Sequence, residues 1–312
     1  MESQKIEVSA TVEASAAVGS VNFVLDGSRN IGQAFTSPYN ITWDTSQVAD
    51  GPHTLKAVAI DANGSSGASA GVAVTTQNVA RAAEVPQQGL RMWLRAETGV
   101  AARNGRVGAW SDQSGSGIQA VQTNANWKPV LTTSGQSTVI RFDGVQTRLT
   151  FPLDINGWTG MTIFLVSGNA MNSTGGQSKS ENAAIFWDET EWWGTTYLSP
   201  FQTNVAFRFA TTQTYNWPVY QRPAPVGSNL TLAEALKSGI TDYLYLNGVL
   251  AYSESGKLPT IQGAINTGAL GQGYNNTFFG GDIAEVLVYN RALSESDRQG
   301  VEAYLMNKYS LQ

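Results

Sequence analysis

Short apolar runs alternate with polar positions along most of the chain. KIEVSATVEA, SVNFVLDG, PYNITWDT, HTLKAVAIDA and AGVAVTTQ fill residues 1–80, punctuated by Asp26-Gly27, Ser37-Pro38, Asp50-Gly51-Pro52 and Asn63-Gly64. A period of two sends successive side chains to opposite faces, so these runs predict strands and the punctuation predicts turns. A longer series follows: LRMWLRA, RVGAWSD, TVIRFDG, RLTFPL, MTIFLVSG, AAIFWDETEW, TTYLSP, VAFRFAT, DYLYLNGVLAYSE, AINTGALGQG and GDIAEVLVYN. Asn247-Gly248, between DYLYL and VLAYS, is a two-residue hairpin signal. Residues 81–89, RAAEVPQQG, have no periodicity and read as a linker. The expected fold class is all-β, with a small β-sandwich over 1–80 and a larger jelly-roll β-sandwich over 90–312.

Helical spacing stands out near the C-terminus. Val301, Tyr304, Leu305 and Lys308 form one face, and Ser294 with Asp297 resembles a capping box, which predicts one helix from about Ser294 to Tyr309. TLAEALKSG at 231–239 fits either a short helix or a strand leading into the hairpin.

Composition narrows the chemistry. The net charge of −5 and a pI near 5.0 leave no basic stripe for phosphates, so nucleic acid is not an expected partner. No apolar run approaches the roughly 20 residues that span a bilayer, so membrane insertion is not expected either. There are no cysteines, and His53 is the only histidine. Disulfides, thiolate nucleophiles, His-based triads and Cys or multi-His metal sites are therefore excluded. Carboxylates, Arg, Lys, Tyr or a calcium-type cation must carry any chemistry.

Residues 183–222 hold eleven aromatic residues in 40, against 10% for the chain. Strict alternation puts Trp187, Glu189, Glu191 and Trp193 on one face and Asp188, Thr190 and Trp192 on the other. Rings beside polar groups suit a sugar, whose C–H faces stack while its hydroxyls bond to carboxylates, amides and Arg. The candidate ligand-binding residues are Trp187, Trp192, Trp193, Arg208, Tyr215, Trp217, Tyr220 and Arg222, and core packing is the competing reading of each ring. Tyr274, Asn275 and Asn276, in GALGQGYNNTFFGG, fit either the rim of such a site or a surface turn. Glu285 lies inside the apolar run IAEVLVY, where a carboxylate needs a cation, an Arg or hydrogen-bond donors. An internal salt bridge to Arg91, Arg141 or Arg291 is one way to meet that need.

FVLDG at 23–27, SPYNITWDTSQVADGPHTLKAVAIDANG at 37–64 and the closing VAVTT resemble the bacterial immunoglobulin-like domains of secreted multidomain proteins. The chain opens at what corresponds to the second strand and without a leader. It is therefore expected to be a monomeric fragment from inside a longer secreted or cell-surface protein. LRMWLRAETGV at 90–100, WSDQSGSGIQA at 110–120, VIRFDGV at 139–145, LYLNG at 244–248 and GDIAEVLVYNRALSESDRQGVEAYL at 281–305 resemble the laminin-G-like members of the concanavalin A-like lectin and glucanase superfamily. That resemblance implies a curved sandwich with a concave, glycan-receiving face and a structural calcium bound on the convex side through a late-strand carboxylate, which makes Asp143, Asp282 and Glu285 the candidate metal ligands, with the salt bridge as the alternative. Its enzymes carry spaced acids on one concave strand, a pattern that Asp188, Glu189 and Glu191 match only in part. A secreted module that binds a polysaccharide or surface glycan is the leading expectation. The alternatives are a glycoside hydrolase using Glu189 and Glu191, and a non-catalytic adhesion or structural module.

Overall fold

A computed structural model of the chain describes residues 5–14, 17–45, 48, 51–76, 85–168, 183–190, 194–201, 204–209, 219–220 and 230–311. They form two compact units, Met1–Ala80 and Arg81–Gln312.

In the first unit, Lys5–Ala10 pairs antiparallel with Tyr39–Asp44. A second sheet runs in the order Arg29–Ala34, Val18–Leu25, Gly51–Asp61, Ser66–Ala68, with Val72–Thr76 on the other half of the long strand's edge. Alternate residues Val21, Phe23 and Leu25 meet Trp43 and Leu55 in the core, so Trp43 packs rather than presenting a ring to ligand. Asp61 accepts the backbone N–H groups of Asn63 and Ser65, both at 2.8 Å, and closes the hairpin turn that Asn63-Gly64 announced.

The second unit is two antiparallel layers around one core. The first layer runs Val130–Ser134, Ser137–Asp143, Gly280–Tyr289, Gly160–Gly168, Thr231–Ser238, Thr241–Leu246, Val249–Glu254. Leu90–Arg95 pairs with the second half of Gly280–Tyr289. The second layer runs Val100–Arg103, Arg106–Ser111, Gln119–Val121, Leu149–Pro152, Ala264–Leu270, Ile185–Glu189, Thr196–Phe201, Asn204–Arg208, Val219–Tyr220. Ile163, Leu165, Val286 and Val288 of the first layer meet Phe151, Ile185, Trp187, Leu198 and Phe207 of the second. Asn247 and Gly248, both at positive φ, form the expected hairpin.

Thr231–Ser238 is a strand. Its flanks are Gly160–Gly168 and Thr241–Leu246, and this double pairing overrides the helix-forming character of LAEALK. The helix spans Glu295–Tyr309, with the Ser294 side chain accepting from Asp297 N. Val301 and Leu305 cover Phe164, Val166 and Leu287 on the outer face of the first layer, giving a second core. That explains why MTIFLVS is apolar at nearly every position: both of its faces are covered.

Candidate functional site

With the helix on one outer face, the other layer's outer face is the surface to examine. Its strands are set by their inward residues. Ile185 and Trp187 lie opposite Leu198 and Thr196 in register and point into the core, which turns Phe186 and Asp188 outward. Phe186 stands opposite Tyr197, and Tyr197 opposite Arg208, so one cross-strand row carries two rings and a guanidinium. Ala183, Phe186, Tyr197 and Ala206 form a small apolar cluster, against which the Tyr274 ring packs from a neighbouring loop.

Local chemistry builds that loop. Gly273 N donates to Thr277 O at 2.9 Å, and Thr277 Oγ1 donates to Tyr274 O at 2.7 Å. Asn275 and Asn276 both adopt φ of 56°, a left-handed conformation that Asn tolerates better than most residues. The loop leaves Tyr274 partly exposed.

A β-bulge falls between Trp187 and Glu189, so the alternation breaks there and Glu189 leaves the face of Trp187. Glu189 Oε2 accepts the Gly194 amide at 3.1 Å, and Asp188 Oδ1 accepts the Glu189 amide at 2.8 Å. The negative charge of Glu189 is the main cause holding the Tyr274 hydroxyl above the usual phenol range, followed by burial, Asp188 and a hydrogen bond to Glu189. Arg208 is buried and donates from Nη1 to Thr195 Oγ1 at 3.2 Å. Burial lowers its pKa, while Tyr197 and Glu189 favour its charged form. Burial likewise pushes the Tyr197 phenol up, and its hydroxyl has no hydrogen-bond partner among the described residues. The result is an apolar floor with a ring and two carboxylates at its accessible rim, backed by a buried cation.

Several expectations are corrected. Trp187 is no stacking platform: it is fully buried, packs edge-on against Phe151 at 5.4 Å, and donates Nε1–H to Leu153 O at 2.9 Å. Arg208 lies behind the accessible rim. Glu191, Trp192, Trp193, Tyr215, Trp217 and Arg222 lie outside the described residues, and of Tyr220 only the strand position is described. Phe186, Thr195 and Tyr197, which the sequence did not single out, lie beside Arg208 and the Tyr274 ring, and Tyr274 itself, read as either a rim or a turn residue, sits in a tight loop. The Asn-Asn pair following Tyr274 was the available signal.

The three proposed metal ligands are each satisfied by protein groups. Asp143 Oδ1 accepts the amides of Val145, Gln146 and Thr147 and the Thr147 hydroxyl. Burial alone would raise its pKa, but these bonds lower it. Asp282 takes a bidentate pair from Arg141 at 2.7 and 2.8 Å, the salt-bridge alternative. Glu285 receives Trp93 Nε1 at 2.6 Å and Tyr304 and Tyr309 hydroxyls at 3.0 and 2.8 Å, with Lys308 as its counter-ion. Among the described residues no three acidic or His side chains converge as a metal cage. The donor set does not fit calcium, because each carboxylate already has its donors.

Residues 1–57 match the family model of the bacterial Ig domain, and residues 172–297 match that of the concanavalin A-like lectin/glucanases superfamily. The chain joins a bacterial Ig domain to a concanavalin A-like domain. No curated protein matches it. Among solved structures it is similar to domain 4 of AbnA, a GH43 extracellular arabinanase from Geobacillus stearothermophilus, in complex with arabinotriose. That match has 17% identity, covers 67% of this chain and 95% of that one, and has a TM-score of 0.48. The botulinum neurotoxin serotype D binding domain is similar at 13% identity, over 72% of this chain and 53% of that one, with a TM-score of 0.52. The binding domain of Paraclostridial Mosquitocidal Protein 1 is similar at 14% identity, over 71% and 53%, with a TM-score of 0.50. The chain spans about half the length of these toxin domains, and at such identities the likeness shows the fold. Among the described residues, no helix of the concanavalin A-like domain or of the Ig domain is long and apolar enough to cross a membrane.

Proposed function

We propose that the concanavalin A-like domain is a non-catalytic, extracellular glycan-binding module whose ligand lies on the outer face of the second layer. The observation that carries this reading is the seating of the Tyr274 ring on the Phe186–Tyr197–Ala206 cluster with its hydroxyl at Glu189. A partly exposed ring with an adjacent carboxylate offers a sugar both of the contacts it needs, stacking for its C–H face and acceptors for its hydroxyls. Arg208, bonded to Thr195, sets a buried positive charge in the floor, and its charged form is favoured by Glu189 and Tyr197. The membership of the fold in a lectin and glucanase superfamily supports the same reading. The Ig domain serves as a spacer in it.

The test is affinity electrophoresis of the whole chain in gels containing arabinan, xylan, galactan, β-glucan, polygalacturonate or alginate. Retardation by one polysaccharide that Tyr274→Ala abolishes, with the melting temperature unchanged, is the expected result. Retardation that survives Tyr274→Ala and Glu189→Ala places the glycan elsewhere and refutes this site, and no retardation by any of the six refutes the glycan reading.

A further inference from the structure

The charges around Tyr274 go further and, on the reading just proposed, name the class of glycan. We infer that the site selects uncharged glycans and discriminates against uronate- or sulfate-bearing ones. Asp188 and Glu189 are both partly exposed beside the Tyr274 ring. Each carboxylate spends one oxygen on a backbone amide, Asp188 on Glu189 N and Glu189 on Gly194 N. Both carboxylates keep acceptor capacity beyond those amides, which hydroxyl hydrogens can satisfy and an anionic oxygen cannot.

The cation of the site is placed to favour Glu189, not an incoming anion. Arg208 is 6% exposed, donates to Thr195, and has its charged form supported by Glu189 and Tyr197. A ligand carboxylate seated on the Tyr274 ring would meet two carboxylates at the surface and one guanidinium in the floor. Opposite charge is thus already matched inside the protein, and an added negative charge at contact distance is repelled. Sugar hydroxyls meet no such barrier, and the buried Tyr197 hydroxyl, without a partner among the described residues, adds a polar group beneath the ring. Neutral recognition also makes affinity nearly independent of ionic strength, since no net charge is brought to the site.

The experiment uses pairs of related polymers, one neutral and one anionic. Fully methyl-esterified galacturonan against its saponified form, and agarose against sulfated carrageenan, join the neutral arabinan, xylan, galactan and β-glucan of the panel. The expected result is binding to at least one neutral polymer, at least tenfold weaker binding to every charged one, and an affinity changed less than twofold between 20 and 500 mM NaCl. Glu189→Gln combined with Asp188→Asn should shrink the charged-to-neutral discrimination by at least fivefold, read as a ratio so that a uniform loss of affinity does not count. Tighter binding to a charged polymer that Tyr274→Ala abolishes would overturn this inference and leave the glycan reading standing. Binding to no polymer overturns both.

Discussion

A cluster beneath the C-terminal helix gives the sharpest test of the structure. Glu234, on the strand Thr231–Ser238, is fully buried and faces Arg298 and Glu302 of the helix and Tyr245 of the adjacent strand. Arg298 pairs with Glu302 and reaches Glu234 Oε2 only at 3.7 Å, while its guanidinium covers the Tyr245 ring at 3.9 Å. Neither Glu234 oxygen has a donor if both carboxyls are ionised. One proton resolves this: a neutral Glu234 donates to Glu302, and the guanidinium balances the one remaining charge. Burial first, then the bond to Glu302 and its charge, hold the Glu234 carboxyl well above its ordinary 4.5. The sign follows. The folded chain keeps a proton that the unfolded chain loses near 4.5, so this contribution is complete below that pH and declines as pH rises towards the folded value, by up to about 1.4 kcal/mol per pH unit. Arg298→Met leaves two carboxyls facing each other without a cation, a loss of about 3 kcal/mol at pH 8. For a unit of this size that is roughly 6–12 °C in melting temperature. Glu234→Gln mimics the protonated acid, so it should match or exceed the wild type at pH 8 and flatten the pH dependence between 5 and 9. Thermal melts followed by near-ultraviolet circular dichroism on the whole chain read all of this. A Glu234→Gln variant as unstable at pH 8 as Arg298→Met would show that Glu234 is ionised and refute the reasoning.

Trp187→Ala should cost about 3–5 kcal/mol in chemical denaturation, and glycan affinity of the folded fraction should not change; a loss of binding at full folding would return Trp187 to the ligand site. At Gly268 an added Cβ would lie 2.2 Å from Phe151 Cζ and 3.0 Å from Trp187 Cε2, so Gly268→Ala should cost about 3 kcal/mol or more by overpacking. Gly64→Ala meets nothing within 4 Å and strains only its φ of +86°, so about 1 kcal/mol is expected in the same melts. Because Asp143, Asp282 and Glu285 are satisfied by protein donors, excess chelator should leave the melting temperature within about 1 °C, the scale of a few tenths of a kcal/mol; a rise on adding calcium would refute that account. Lys308→Met leaves Glu285 buried without its counter-ion, and its melting temperature should drop by about 4 °C or more in chelator and calcium alike.

Much of the fold was legible because the chain repeats one physical choice. Alternating runs mark half-buried strands, and the near-continuous run MTIFLVSG marks a strand covered on both faces. Asp112 closes a turn in the same local way, its carboxylate accepting the amides of Ser114 and Ser116. The helix was readable from its cap and from Val301, Tyr304, Leu305 and Lys308, which turn out to hold both the second core and Glu285. Thr231–Ser238 was not decidable, because its state is set in part by a strand distant in sequence, from Ser167 opposite Thr231 to Gly160 opposite Ser238: Phe164 and Tyr245 stand on either side of Glu234 only in the folded sheet. The small strands Val100–Arg103 and Gln119–Val121 were missed for a related reason, being too short to show a period.

Trp187 shows what alternation can carry and what it cannot. Period two fixes which side chains share a face but not which face is buried, so the row of Trp187 could have been inner or outer. The indole volume decides it: the core between the layers needs a large ring against Phe151 and Gly268, and Trp187 fills that space while satisfying Leu153 O. Phe186 and Asp188 are then outward by necessity. The rule stops at the bulge, which an unaligned sequence does not announce, and the bulge is what brings Glu189 out beside Tyr274. Glu189 thus reaches the Tyr274 ring for a reason other than alternation, and Tyr274, read as either a rim or a turn residue, meets it because Asn275 and Asn276 accept the backbone that a tight loop requires. If the bulge is what positions Glu189, removing one residue from it would restore alternation and swing Glu189 inward, and a protein that still folded would lose the neutral-glycan affinity together with the raised Tyr274 titration, whereas loss of one without the other would separate the carboxylate from the ring as determinants of binding.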